Sequence, residues 1–139
     1  LPGFASVQKE IEWRKSNSES CEVYNLFFEP EAFEVYAQKY GRIKADEMLK
    51  ITASIIIDII KRIGKNKAFL GHLGDNTLVL IADKENIRPI ISNVENEINS
   101  LIPLKYDDED RKKGAISIKD ISGKINEVPL MRIITAVRE

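Results

Sequence analysis

Residues 68–83 read AFLGHLGDNTLVLIAD. Two apolar runs flank a short polar stretch, Gly74-Asp75-Asn76-Thr77. Asp-Asn beside a glycine, between hydrophobic runs, predicts a β-hairpin. The spacing places its strands near 67–73 and 77–82 and its turn between them.

The pattern on either side completes a fold. Phe4, Val7 and Ile11 recur at helical spacing after Pro2, which predicts a helix over 4–16, broken at Ser16-Asn17-Ser18. CEVYNLFF (21–28) shows too little alternation for an exposed edge and reads as a strand buried on both faces. Pro30 ends that strand and can open a helix over 31–40 that closes at Gly41. Ala45, Met48, Leu49, Thr52, Ile56, Ile59, Ile60 and Ile63 define one face of a helix over 45–63, with Glu47, Lys50, Ser54, Asp58 and Lys61 opposite. Gly64 stands where a C-cap belongs. A further helix carries Ile87, Ile90, Ile91, Val94, Ile98, Leu101 and Ile102, and Pro89 requires it to start near Asn86. After Pro103, YDDEDRKKG reads as a solvated charged loop. Strands are expected over 114–120 and 126–137, with Ser122-Gly123 as the turn between them. Without the first helix and the late hairpin, the order is βαββαβ. The expected class is therefore α+β, a ferredoxin-like antiparallel sheet with flanking helices and an extra C-terminal β-hairpin.

Composition bounds the function. The chain has 139 residues, enough for one domain with a core, and is 43% hydrophobic and 31% charged. A net charge of −1 gives no field that would favour nucleic acid or an acidic membrane surface. Cys21 is the one cysteine, which excludes an internal disulfide and fits a cytoplasmic location. No apolar run approaches the ~20 residues of a membrane span, so direct membrane insertion is not expected. The chain begins with Leu1, and residues 1–139 are expected to be a single domain excised from a longer multidomain signalling protein.

The hairpin resembles, at equal length and without gaps, the signature hairpin of the GGDEF (diguanylate cyclase) family, often written FIGHIGGDDFVVI. Three other segments resemble that family in the same order. Leu1-Pro2-Gly3 looks like the end of an LTGLPG opening. FFEPEAFEVYAQKYGRIKADEML (27–49) looks like LDLDNFKxYNDRYGFxxGDEVL. YDDEDRKKGAISIKDISGKINEVPLMRIITAV (106–137) is similar to a YDEEDRxxGYIxxKDRxGxxxxFPLMSISIAVV ending found in one branch.

The resemblance implies a nucleotide-cyclase fold. It also implies a reaction in which two domains, related by a two-fold axis, each present one GTP to make cyclic di-GMP. That chemistry uses two Mg²⁺ ions held by carboxylates. By resemblance, one metal carboxylate falls at Glu29, which otherwise reads as a solvated strand-end residue. Gly-Gly-Asp-Glu-Phe maps onto Gly74, Asp75, Asn76, Thr77 and Leu78, so a neutral amide replaces the second metal carboxylate. Asp75 as a displaced ligand would point to the wrong face, because adjacent strand residues alternate.

Asp46 falls at a guanine-contacting aspartate and also reads as a helix-start carboxylate favoured by the dipole. The partner asparagine position is Ala37, and a usual lysine is Glu34, a reversed charge. The family's inhibitory Arg-x-x-Asp becomes Lys65 and Ala68, so no inhibitory site is expected. Lys61, Arg62, Lys65 and Lys67 read as a solvated helix end, and His72 as a packed residue. Trp13 and the scattered tyrosines offer no platform for nucleic acid.

The expectation is a degenerate member without an intact catalytic motif, acting as a regulatory, nucleotide-sensing or dimerisation module. Its partners would be GTP or cyclic di-GMP, other domains of the same chain, or a second copy. No cofactor is expected except Mg²⁺ if nucleotide binds. Two alternatives stand beside it. One is a weak or altered Mg²⁺-dependent cyclase. The other is a protein-interaction domain without nucleotide, in which Ile51, Ile55 and Ile57, otherwise read as buried under the sheet's edge, would face a partner.

Overall fold

The computed structural model describes every residue except 64–66, 75 and 139. The elements are α1 (Phe4–Ser16), β1 (Cys21–Phe28), α2 (Pro30–Tyr40), α3 (Arg42–Ile63), β2 (Phe69–Gly74), β3 (Thr77–Asp83), α4 (Ile87–Leu101), α5 (Asp108–Lys113), β4 (Ala115–Lys119), β5 (Ile125–Pro129) and β6 (Ile133–Val137). A 3₁₀ turn, Ile102–Lys105, follows α4. The central sheet has the antiparallel order β2-β3-β1-β6, the ferredoxin-like arrangement expected from the βαββαβ pattern. No described helix is long and apolar enough to cross a membrane.

β1 sits inside the sheet and its two faces meet different layers. Leu26 and Phe28 face the main core, where α2, α3 and α4 contribute Phe33, Tyr36, Met48, Ile56, Ile59, Ile90 and Ile98. Val23 faces the opposite side, where Val7 of α1 packs with Val79 and Ile81 of β3. The α3 stripe read from the sequence is the buried one, and the buried Thr52 hydroxyl is satisfied by donating to the Met48 carbonyl at 2.8 Å. Ile55 and Ile57, which the sequence offered either as a partner face or as buried, pack partly buried against the same core. α3 starts at Arg42, three residues earlier than its apolar stripe. The proposed cap at Gly64 lies outside the described residues.

The hairpin forms where the sequence places it. β2 ends at Gly74 and β3 starts at Thr77, with a register irregularity between His72 and Gly74. Gly74 (φ 86°) and Asn76 (φ 64°) both adopt the left-handed conformation, which glycine and asparagine tolerate best. Asp75 lies outside the described residues. The outer edge of β2 is held by the chain's own start, with the His72 amide donating to the Pro2 carbonyl at 2.8 Å. The His72 side chain is exposed rather than packed.

Gly71 is required for a different reason. A Cβ there would stand 2.4 Å from Cγ2 of Val7, so its absence lets α1 lie directly on the sheet. The buried Arg14 fixes the far end of α1. Its guanidinium donates to Glu10 at 2.7 Å and to the Lys67 carbonyl at 2.6 Å.

The last third of the chain departs from the sequence reading in three ways. The expected strand over 126–137 is two strands. β5 pairs with β4 in a separate hairpin, and β6 joins the central sheet beside β1. The hairpin therefore precedes the last sheet strand instead of ending the chain. The break follows Pro129, which has no N–H to continue a ladder. The Leu130 amide donates to the Gly114 carbonyl at 3.2 Å and the Met131 amide to the Tyr106 hydroxyl at 2.9 Å.

YDDEDRKKG is not a solvated loop but the helix α5. Asp107 caps it by accepting from the Asp110 amide at 2.9 Å, acids fill its first turn, bases fill its last, and Gly114 closes it at φ 76°. Three tyrosines are gathered rather than scattered. Tyr36 stacks on Tyr40 at 4.7 Å, and Tyr106 meets both edge-on at 5.0 and 5.8 Å.

Asp110 joins α5 to this cluster. It is 4% exposed, accepts from Lys39 Nζ at 2.5 Å and also accepts from the Tyr40 hydroxyl. Burial alone would raise its carboxyl pKa. The bonds from Lys39 and Tyr40, with the ammonium's charge, outweigh that and hold it below the ordinary carboxylate value. Burial pushes the Tyr106 hydroxyl up to about 12, so it stays protonated at neutral pH.

Two outcomes follow from these contacts. Gly71→Ala should destabilise the fold by about 1–3 kcal/mol through overpacking against Val7, measured by urea denaturation. Asp110→Asn should cost about 2 kcal/mol at pH 7, the scale of hydrogen bonds to a charged group. A carboxyl held below its unfolded value stabilises above that value and loses the effect as pH falls. The gap between parent and variant should therefore narrow below about pH 4. Denaturation at pH 7 and pH 3 checks both the size and the sign.

Candidate functional site

β1 delivers its C-terminal residues to the start of α2, and β3, paired with β1 at Leu26↔Leu78, delivers the hairpin turn to the same end of the sheet. A cleft of about 410 Å³ lies there. Phe27, Pro30, Phe33 and Glu34 line one side and Asn76 and Thr77 the other. Leu78, at the last position of the motif, is buried in the main core. The turn thus lies beside the end of β1, with neutral side chains at its two described polar positions.

Glu29 occupies the N-cap of α2, and its carboxylate folds back on that helix. One oxygen accepts from the Glu31 amide at 3.2 Å and the other from the Ala32 amide at 2.7 Å. Pro30, at the first helical position, has no amide to offer. A helix N-terminus attracts anions through such free amides. Here the chain's own carboxylate uses them.

Glu29 and Asn76 also line different depressions. Asn76 lines the hairpin cleft, and Glu29 lines a second cavity on the α4 side. Among the described residues, no three His, Cys, Asp or Glu side chains come together as a metal site. One carboxylate already bonded to two amides, and one neutral amide in another cleft, do not fit a site for two hard divalent ions.

The remaining positions have distinct surroundings. Asp46 is exposed near the start of α3 and does not line the hairpin cleft. Ala37 is 6% exposed and packs in the main core, so its position faces away from a ligand in that cleft. Glu34 puts a carboxylate on the cleft wall, paired at 3.2 Å with Arg42. Both side chains are about half exposed, so the pair is worth at most ~1 kcal/mol.

Of the basic group, Arg62 is committed to ion pairs with Asp58 of its own helix (3.1 Å) and with Glu97 (2.9 Å), the second of which joins α3 to α4. Lys61 and Lys67 are exposed, and Ala68 packs against the main core. Lys65 lies outside the described residues. Beside the hairpin cleft the Asn25 side-chain oxygen is buried with no hydrogen-bond partner among the described residues, a feature the sequence did not signal.

Glu29→Ala should remove the cap from α2 and lower stability by about 1 kcal/mol, while Glu29→Asp, which keeps a capping carboxylate, should lose less. Denaturant midpoints of the three proteins check this order.

No protein-family model matches the sequence, and no curated protein matches it. Solved structures do match. The coiled coil and GGDEF domain of DgcB from Caulobacter crescentus, in complex with c-di-GMP, aligns over 97% of this chain and 63% of its own. Its TM-score is 0.58 at 14% identity. The diguanylate cyclase SiaD from Pseudomonas aeruginosa, in complex with its activator SiaC, aligns over 100% of this chain and 47% of its own, with a TM-score of 0.62 at 12% identity. The active GGEEF domain of a Vibrio cholerae diguanylate cyclase aligns over 91% and 66%, with a TM-score of 0.52 at 12% identity. The chain spans about half to two thirds of the length of these proteins. The sheet order, the placement of the hairpin beside the end of β1 and these alignments agree that the chain has the fold of a GGDEF domain.

Proposed function

We propose that this chain is a degenerate GGDEF-type module of cyclic di-GMP signalling that does not carry out the cyclase reaction, and that it acts through regulation, nucleotide sensing or dimerisation. The observation that carries this reading is the Glu29 carboxylate, bonded to the amides of residues 31 and 32 at the site where a first metal ligand would stand. The neutral Asn76 and Thr77 and the acidic Glu34 in the hairpin cleft support it. Each factor of ten in rate corresponds to ~1.4 kcal/mol, so losing even one preorganised ligand to the transition state costs orders of magnitude. Similarity to a domain solved with c-di-GMP, and to a cyclase solved with a protein activator, supports nucleotide and protein partners as the classes to test.

A weak Mg²⁺-dependent cyclase is the second reading, and the exposure of Glu29 at the end of β1 favours it. Incubation with GTP and Mg²⁺, followed by chromatography for cyclic di-GMP, separates the two. The expected result is no product above a control without protein. Product formation that disappears in Glu29→Ala would overturn the proposal. Calorimetric titration of GTP, GDP and cyclic di-GMP, with and without Mg²⁺, then distinguishes a nucleotide sensor from a module that works through protein contacts alone.

A further inference from the structure

The Met131 amide donates to the Tyr106 hydroxyl at 2.9 Å, so the chain leaves the body of the protein at Tyr106 and returns to it at the same place. Residues 107–130, between those two points, carry α5, β4 and β5. β4 and β5 pair with each other and with no strand of the central sheet. Among the described residues, no backbone-to-backbone hydrogen bond joins 107–130 to the rest of the protein. We propose that residues 107–130 form a latched arm, which opens as one unit while the central sheet stays folded, and that the Asp110 carboxylate is its latch.

Burial separates the arm from the sheet. Asp110, Ala115, Ile116 and Val128 are its buried residues, whereas Leu78 to Ala82 of β3 are buried without a break. A lone two-stranded hairpin is marginal in water. Segments with few buried apolar side chains are the ones that open at a lower free energy than the whole domain. The arm therefore depends on what it touches. Ile116 and Val128 rest on the main core. Asp110 supplies the polar hold, accepting from Lys39 Nζ at 2.5 Å and from the Tyr40 hydroxyl. The Asp107 amide donates to that same hydroxyl at 3.0 Å. Lys39 and Tyr40 are the last two residues of α2, so the end of one helix makes all of these polar contacts.

The base of the arm has its own anchors and can stay in place when the arm lifts. Tyr106 packs edge-on against Tyr36 at 5.0 Å, and the Tyr36 hydroxyl donates to the Lys105 carbonyl at 3.1 Å. Opening therefore breaks the contacts of Asp110, Ile116 and Val128 without pulling β6 from β1. It leaves the α1 layer, where Val7 meets Val79 and Ile81, untouched. The inference does not depend on nucleotide chemistry.

Native-state hydrogen exchange of the isotope-labelled chain in low urea tests it. The amides of β4 and β5 are expected to be at least about tenfold less protected than those of β1 and β3. Their exchange should also respond less to urea, because an opened arm exposes less surface than an unfolded chain. Asp110→Asn should speed exchange in β4 and β5 about thirtyfold, the scale of lost hydrogen bonds to a charged group. Gly71→Ala, or Val7→Ala in the same layer, should speed exchange in β1 and β3 about tenfold and leave β4 and β5 unchanged, because that layer is intact when the arm is open. Equal protection and equal urea response in the two pairs of strands would overturn the proposal. So would an effect of Gly71→Ala or Val7→Ala shared by both pairs, or an arm whose exchange is unchanged in Asp110→Asn.

Discussion

The pairing of β1 with β3 is the constraint on which the rest of the molecule depends. The six-residue register from Cys21↔Asp83 to Leu26↔Leu78 sets the hairpin turn next to the end of β1. A one-residue slip would send Leu26 and Leu78 from the main core to the α1 side. Because β1 is central, its alternate residues are claimed by two layers, α2 to α4 on one face and α1 on the other. This double burial also fixes where α2 begins. Every candidate functional residue on α2 therefore inherits its position from the strand.

At that junction a single carboxylate has two incompatible uses. A glutamate one residue beyond the strand can reach out toward a metal or turn back to cap the helix that follows it. In this chain it turns back, and both oxygens are engaged. The cap satisfies amides that would otherwise draw an anion, so one contact both stabilises α2 and closes an anion site. The hairpin cleft beside it has apolar walls, neutral polar side chains and a glutamate.

Much of the fold was legible because its signals were periodic or punctuated. The α3 stripe, the Asn86 start forced by Pro89, and the hairpin at Gly74 to Thr77 all appear where the sequence puts them. What was not legible depended on partners distant in sequence. The split of the last strand follows from Tyr106 and Gly114 taking the amides after Pro129, and a single proline does not distinguish a strand end from an edge strand. The Tyr36 and Tyr40 pair was visible as an i,i+4 spacing on α2, but its third member arrives from residue 106.

α5 was a different kind of miss. An aspartate cap, an acidic first turn, a basic last turn and a closing glycine were all present, and the mixture of charges hid them. The Glu29 cap was hidden too, because glutamate is not among the residues preferred at that position. The direction Glu29 takes was not legible in the sequence.

The claim that Glu29 serves the helix and not a metal is tested most directly with a paramagnetic ion. Mn²⁺ titrated into the isotope-labelled chain broadens the amides near any site it occupies. The account predicts no selective, saturable broadening at residues 28–32 and 76–78 at submillimolar Mn²⁺, and no change on Glu29→Gln. Saturable broadening centred on those two segments, lost in Glu29→Gln, would contradict it.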